Sequence, residues 1–194
     1  ILAREINDKM RIADCLSVMS AVYRMQSDYP KAIDYLQQAI VIAREINDKN
    51  RIAFCFTSMG NIYCMQYISS YVHPDSVRIN HDRLINMGLY YYQQAIALAR
   101  EINDKNLIAE CLISMGDAWM NRKPAHAIAS AGRNVSRARV YAEDALLAAK
   151  ESDRPDNIKG ASHLLYRIYD TLGMPAKALE MYKLYVQMKD SITN

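Results

Sequence analysis

The seven residues Ala3-Arg4-Glu5-Ile6-Asn7-Asp8-Lys9 recur letter for letter at Ala43 to Lys49 and at Ala99 to Lys105. A worn fourth copy, Ala149-Lys150-Glu151-Ser152-Asp153, follows, so successive copies start 40, 56 and 50 residues apart. Gln37-Gln38-Ala39-Ile40 returns as Gln93-Gln94-Ala95-Ile96, and Ser58-Met59-Gly60 returns as Ser114-Met115-Gly116. Identity at this level requires a tandem array of one supersecondary unit, with residues added inside some copies.

Each copy holds two helical patterns. Ile12, Leu16, Met19 and Tyr23 are spaced by four, three and four, which places one apolar stripe on a helix from about Lys9 to Gln26. Ser27-Asp28-Tyr29 breaks the pattern, and Pro30 stands where the first helical position falls and its missing N–H costs nothing. Ala32, Leu36, Ala39, Ile40 and Ala43 form the stripe of a second helix. Asn47 can take the left-handed conformation that ends it, and Asp48 can cap the next helix. The repeated Asn-Asp-Lys is therefore a helix stop and a helix start in three residues, which forces the joined helices to lie antiparallel. The expected units are residues 9–46, 49–102, 105–152 and 155–194, with residues 1–6 the tail of a preceding repeat. A chain that opens on Ile1 inside such a tail reads as a piece of a longer protein. The additions fall at about 65–86 and 123–137. The first is apolar, so it is expected to lengthen its flanking helices, with a break near His73-Pro74 because Pro cannot continue a helix interior.

Composition narrows the function. Hydrophobic residues are 51% and charged residues 23%, a globular balance, and 6 Gly with 5 Pro argue against a turn-rich β protein. With 24 basic and 21 acidic residues the net charge is +3, which supplies neither an electrostatic footprint for nucleic acid nor a polybasic membrane anchor. No apolar run approaches the ~18 residues of a membrane span.

Catalytic chemistry is not expected. Cys15, Cys55 and Cys111 occupy one repeat position, and Cys64 is separate. None of them has the spacing of a zinc or redox pair, so the repeated position reads as a small buried residue at a helix contact. His73, Asp75, His81 and Asp82 share the first addition, but no helical spacing aligns them as metal ligands. No Ser-His-Asp or Cys-His arrangement and no Gly-rich phosphate loop occurs. The sequence thus predicts no enzyme, no cofactor and no metal. Met19, Met59 and Met115 share one repeat position and are expected in the core, whereas Met25, Met65 and Met120 near the ends of first helices are expected on the inner surface.

These residues resemble the tetratricopeptide repeats. That family places a large residue, a Leu-Gly pair and a Tyr on its first helix, then Ala, an aromatic and Ala on its second. The first helices here offer Leu16, Met19, Ser20, Tyr23; Phe56, Met59, Gly60, Tyr63; Leu112, Met115, Gly116, Trp119; and Ser162, Leu165, Tyr166, Tyr169. Second helices offer Ala32, Leu36, Ala39 and Ala178, Tyr182, Tyr185. The period of 40 departs from the family's usual length of about 34. The longer period and the missing helix-ending Pro resemble a long-helix subclass of signalling scaffolds and sensors. The ending, Tyr182 to Tyr185 and Lys189 to Ile192, is similar to the close of the repeat region in Bacteroidetes-type sensor histidine kinases and transcriptional regulators.

The resemblance implies an all-α, right-handed superhelical solenoid of about four antiparallel helix pairs. First helices would line its concave face with Asp14, Ser17, Ala21, Arg24, Thr57, Asn61, Met65, Glu110, Ile113, Asp117, Asn121, His163, Arg167 and Asp170. Some members clamp a C-terminal carboxylate with Lys and Asn. Here Asn61 matches the Asn, but Thr57 stands where the Lys belongs, so that clamp is not expected. The implied partner is a protein or peptide, and the implied role is the sensory or scaffolding part of a larger bacterial regulator, in the cytoplasm or periplasm. The alternative is a structural module that self-associates as a homodimer.

Overall fold

The computed structural model describes residues 2–72, 81–123 and 128–193. Among them the regular structure is eight α-helices and no strand. They are α1 (Leu2–Met25), α2 (Tyr29–Glu45), α3 (Lys49–Val72), α4 (His81–Glu101), α5 (Lys105–Asn121), α6 (Ile128–Glu151), α7 (Pro155–Thr171) and α8 (Pro175–Thr193). The chain forms two compact units, Ile1–Ile102 and Asn103–Asn194, each of two helix pairs.

The turns follow from single residues. Ser27, Asn47, Asn103, Asp153 and Gly173 have positive φ, between 51° and 67°. At the end of α2 the Asn47 N–H donates to the Arg44 carbonyl (3.0 Å) and the Asp48 N–H to the Ala43 carbonyl (2.8 Å). This is a Schellman closure, which satisfies carbonyls that an α-helix leaves open at its end. The next residue's side chain then starts α3, because Asp48 Oδ1 accepts from the Arg51 N–H at 3.0 Å. Asp28 caps α2 through the Lys31 N–H and Asp104 caps α5 through the Leu107 N–H in the same way.

Side-chain packing confirms the antiparallel pairs. Lys9, two turns into α1, meets Glu45 at 3.2 Å, and Lys49 and Lys105, in the first turns of α3 and α5, meet Glu101 and Glu151 at 2.9 Å, each acid in the last turn of the partner helix. In the first unit Ala32, Leu36, Ala39, Ile40 and Ala43 of α2 form one core with Ile52, Cys55, Met59 and Ile62 of α3. Tyr92 of α4 lies over Gly60 so closely that a Cβ there would come within 2.6 Å of its ring. In the second unit Ala138, Ala142, Ala145 and Ala149 of α6 have no exposed surface, and Gly116 leaves room for Leu164.

Helix α1 runs through Asn7-Asp8, whereas α2 and α4 end just ahead of the same letters. Two expectations are corrected. First, Met19 is not core. Its counterparts Met59 and Met115 are each 1% exposed, whereas Met19 is 39% exposed and Ile12 is 50% exposed. Second, Cys15 is exposed although Cys55 and Cys111 are buried. The reason for both is the same. Helix α2 covers this face on α3, and no described helix covers it on α1.

The first addition does lengthen its helices: α3 continues to Val72, beyond Met65, the residue matching the end of α1 at Met25. The expected break at His73-Pro74 lies outside the described residues, as do residues 124–127 of the second addition.

Two outcomes follow for urea unfolding. Met59→Ala is expected to lower stability by about 2–5 kcal/mol through cavity formation, whereas Met19→Ala, at the same repeat position, costs under about 1 kcal/mol because its face is open. Gly60→Ala is expected to cost about 1–3 kcal/mol by overpacking against Tyr92. Gly132→Ala, with open space around its Cβ position within α6, gains up to about 1 kcal/mol. Equal midpoints for either pair would refute the packing described.

Candidate functional site

Where two first helices lie side by side, they set a row of side chains on one face. In the first unit this row comes from α1 and α3. Asp14 takes the Nε–Nη2 edge of the Arg51 guanidinium, at 2.9 and 2.8 Å, while Nη1 donates to Asp48. One turn on, Ser17 Oγ donates to the Ala13 carbonyl and lies 3.9 Å from Cys55 Sγ. Near the helix ends, Arg24 donates to Met65 Sδ at 3.4 Å. Thioether sulfur is a weak acceptor, so the Arg24 guanidinium keeps most of its capacity for another group. Met25, just beyond, is 80% exposed.

The expected groove positions divide on inspection. Asp14, Ser17, Arg24 and Met65 come together along this row, and Ala21 is half-buried between them in sequence. Asn61 accepts the Tyr92 hydroxyl at 2.7 Å, which ties its carbonyl oxygen to α4. Thr57 is not a groove residue: it is 3% exposed and its hydroxyl donates to the Ala53 carbonyl. A β-branched hydroxyl on a helix facing a neighbour finds its nearest acceptor four residues back, so burial and satisfaction go together.

In the second unit the row comes from α5 and α7. Asp117 accepts from Arg167 Nη1 at 2.7 Å, and Asn121 Nδ2 donates back to the Asp117 carbonyl. Ile113 is half-buried and packs against Gly160, whose added Cβ would approach it to 3.2 Å. Glu110 is exposed overall, yet lost hydration around its carboxylate, followed by the charge of Asp104, raises its pKa. His163 and Asp170 are exposed. The His163 ring lies 4.9 Å from Tyr185, and Tyr166 lies 5.3 Å from Tyr182, so one aromatic surface spans α7 and α8.

Sequence reasoning missed Arg51 and this aromatic surface. Arg51 repeats Arg11, but its partner Asp14 lies 37 residues away on another helix, a pairing that local spacing does not reveal. The tyrosines carried a signal: Tyr166 and Tyr185 stand where the earlier repeats have Ser20, Gly60 and Gly116, and Ala39, Ala95 and Ala145.

Among the described residues the thiols and the one Ser–His contact are not set up for reactive chemistry. Burial pushes the Cys55 and Cys64 thiols up to about 11, far from thiolate formation at neutral pH. His81 Nδ1 lies 2.9 Å from Ser70 Oγ, but that hydroxyl gives its hydrogen to the Tyr67 carbonyl at 2.6 Å. Ser70 must then accept from His81, the reverse of what a general base requires. Among the described residues no three His, Cys, Asp or Glu side chains converge to hold a metal ion. His73 and Asp75 lie outside those residues.

The family model described as "Anaphase-promoting complex subunit 5" matches residues 4–66 and 88–120. A crystal structure of BtubC (BKLC) from P. vanneervenii is similar with a TM-score of 0.68 and 15% identity, over 94% of this chain and 65% of that one. A de novo designed helical repeat protein, DHR64, overlays more loosely, with a TM-score of 0.40 and 12% identity over 98% of this chain and 95% of that one. No curated protein matches in sequence. The fold is thus an all-α helical repeat.

The Asp14–Arg51 contact sets a pH dependence. The hydrogen bond from Arg51 holds the Asp14 carboxyl below its usual 3.8. Its contribution is present above that usual value and is lost as pH falls through the lowered folded value. The pair is largely exposed, so Asp14→Asn is expected to cost under about 1 kcal/mol at pH 7. The difference between the two proteins should shrink in urea titrations as pH falls below that usual 3.8. A constant difference at every pH would show that Asp14 acts through something other than its charge.

Proposed function

We propose that the chain is a protein- or peptide-recognition module, the sensory or scaffolding portion of a larger bacterial signalling protein. The observation that carries this reading is the pre-set row of side chains on paired first helices. Asp14, Arg51, Arg24 and Met65 stand in order on one unit, and Asp117, Arg167 and Asn121 on the other. Rigid helices fix these groups before any ligand arrives, which limits the ordering cost of binding. The surface mixes both charges with a flexible thioether, the chemistry of an adaptable peptide surface rather than of a nucleic-acid or lipid site. A helix or an extended peptide with alternating charges is its natural complement. Among the described residues no helix is long and apolar enough to cross a membrane. In this reading the chain carries no catalytic step.

Display of random peptides against the whole chain tests the proposal. Arg24→Ala with Met65→Ala, or Asp117→Ala with Arg167→Ala, should weaken selected peptides at least roughly tenfold. Lys31→Ala, on the exposed side of α2, should leave them unchanged. Peptides indifferent to both double variants would overturn the groove reading. Self-association remains the second reading, supported by the open apolar face of α1, and sedimentation of the peptide-free chain as a dimer would favour it.

A further inference from the structure

The hairpin that joins α5 to α6 carries charge of one sign. Between Asp117 and Glu143 the sequence holds Arg122, Lys123, Arg133, Arg137 and Arg139 and no acid. These five outweigh the net charge of +3, so the remainder of the chain is net negative. Arg133 and Arg137 are exposed and stand one helical turn apart on α6. Among the described residues neither forms an ion pair. The nearest acids on α6 are engaged or distant. Glu143 meets Arg139 and takes the Tyr169 hydroxyl, and Asp144 stands two turns beyond Arg137, about 10 Å along the axis.

The repeat shows what this charge departs from. A shift of 106 residues takes Tyr35 to Tyr141, Ala32 to Ala138, Lys31 to Arg137 and Asp28 to Asn134. In the first unit Lys31 lies over the Tyr23 ring at 5.1 Å and is neutralised by Asp28 at 2.9 Å. In the second unit Arg137 lies over the Trp119 ring at 4.6 Å, and Arg122 adds another cation at 5.0 Å. The acid is gone: Asn134 is neutral and gives its amide to the Arg122 carbonyl at 3.2 Å. A cation over an aromatic is therefore a property of the repeat, and this hairpin adds a cation while it loses the counter-charge.

A hollow of about 510 Å³ adjoins these groups, lined by Trp119, Ser136, Arg137, Val140 and Tyr141. Val140 is 51% exposed, an apolar side chain at its edge. Trp119 is 8% exposed, and its indole N–H, shielded from solvent, meets no acceptor. A buried donor without a partner favours a ligand that brings an acceptor. Trp119 lies two residues from Asp117 and from Asn121, about 200° round α5. The hollow is thus on a different face from the row that Asp117 shares with Arg167.

We propose that this hollow is a second recognition site, which takes an acidic peptide segment of a partner protein. Carboxylates of the segment meet Arg133 and Arg137, and a large apolar side chain between them packs against Trp119 and Val140. Charge selects the acids, and the apolar wall selects a peptide over a free anion, which has nothing to place there. Nucleic acid is the poorer complement, because guanidinium groups already lie over the ring on which a base would stack.

Trp119 is the single tryptophan, so its emission reports on this hollow. The whole chain is titrated with four blocked pentapeptides, each with two acids on either side of a central Leu, Ile, Met or Phe. At least one should shift Trp119 emission saturably with a Kd below about 1 mM, and added salt should weaken it. The same peptide with Gln and Asn for its acids, or with Ser at its centre, should bind at least roughly tenfold more weakly. Arg133→Gln, on the exposed side of α6, should weaken the peptide at least roughly fivefold while the circular dichroism of the chain stays unchanged. Adding Arg137→Gln should abolish binding. Asp117→Ala with Arg167→Ala, which disables the row on α5 and α7, should leave this binding intact, so the two sites fail separately. No saturable shift with any of the four peptides overturns the proposal. So does an equal shift from inorganic phosphate, or tighter binding of a short oligo(dT) than of any peptide, because the hollow would then hold a simple anion or a nucleic acid.

Discussion

Close approach of helices at alanine and glycine is the constraint on which this structure rests. Ala32, Ala39 and Ala43 in α2, Ala95 and Ala99 in α4, and Ala138, Ala142 and Ala145 in α6 have no exposed surface. With so little side chain between the backbones, the large residues beside them fill the remaining space: Leu36 and Met59 in one unit, Leu164 and Leu165 in the other. Dispersion and burial of apolar surface then act over the whole helix length, while the small residues lose no rotamer freedom. Gly60 carries the arrangement furthest, since Tyr92 occupies the volume that any side chain there would take. The Tyr92 hydroxyl pushed through that gap reaches Asn61, so a core contact also orients a residue of the surface row.

Much of this was legible in the sequence because the repeat supplies its own internal comparison. Helix stripes such as Ala32, Leu36, Ala39 and Ala43, the left-handed Asn47 and the Asp48 cap are local features, decided within one or two turns. What could not be read was which copy of a pattern has a neighbour. Cys15 and Cys55 are the same residue in the same local sequence, yet one is exposed and the other buried, because the difference resides in α2 and not in either helix. Thr57 failed for a related reason. A family position assigned to the groove says nothing of the rotation of α3, and in the structure its hydroxyl is closed inward onto Ala53. Pairings across helices, such as Asp14 with Arg51, and the ring contacts of His163 with Tyr185, depend on helix-to-helix spacing and were out of reach of a one-dimensional pattern.

The ion pairs that accompany the junctions are minor in energy and specific in geometry. Lys49–Glu101 and Lys105–Glu151 are largely exposed, so each contributes well under about 1 kcal/mol. Their recurrence still fixes the register of each pair, because a slip by one turn would separate the charges. Tyr169, whose hydroxyl donates to Glu143 at 2.9 Å, does the same for α6 and α7 from a less hydrated position, its pKa pushed up to about 12 first by burial and then by that carboxylate.

The two kinds of connection in each helix pair differ in what they tolerate. The Asn-Asp-Lys junctions spend every atom: a left-handed residue, two Schellman hydrogen bonds and a side-chain cap within three positions. No residue can be inserted there without losing one of them. At the opposite ends α3 runs on to Val72 and α6 begins at Ile128, whereas the α1–α2 turn at Ser27-Asp28 and the α7–α8 turn at Gly173-Met174 keep a left-handed residue and the same closure. Length differs at those tips while the body of the pair keeps its register. Such a protein acquires new surface by growth at one end of its hairpins, and its evolutionary freedom is polarised along the helix axis.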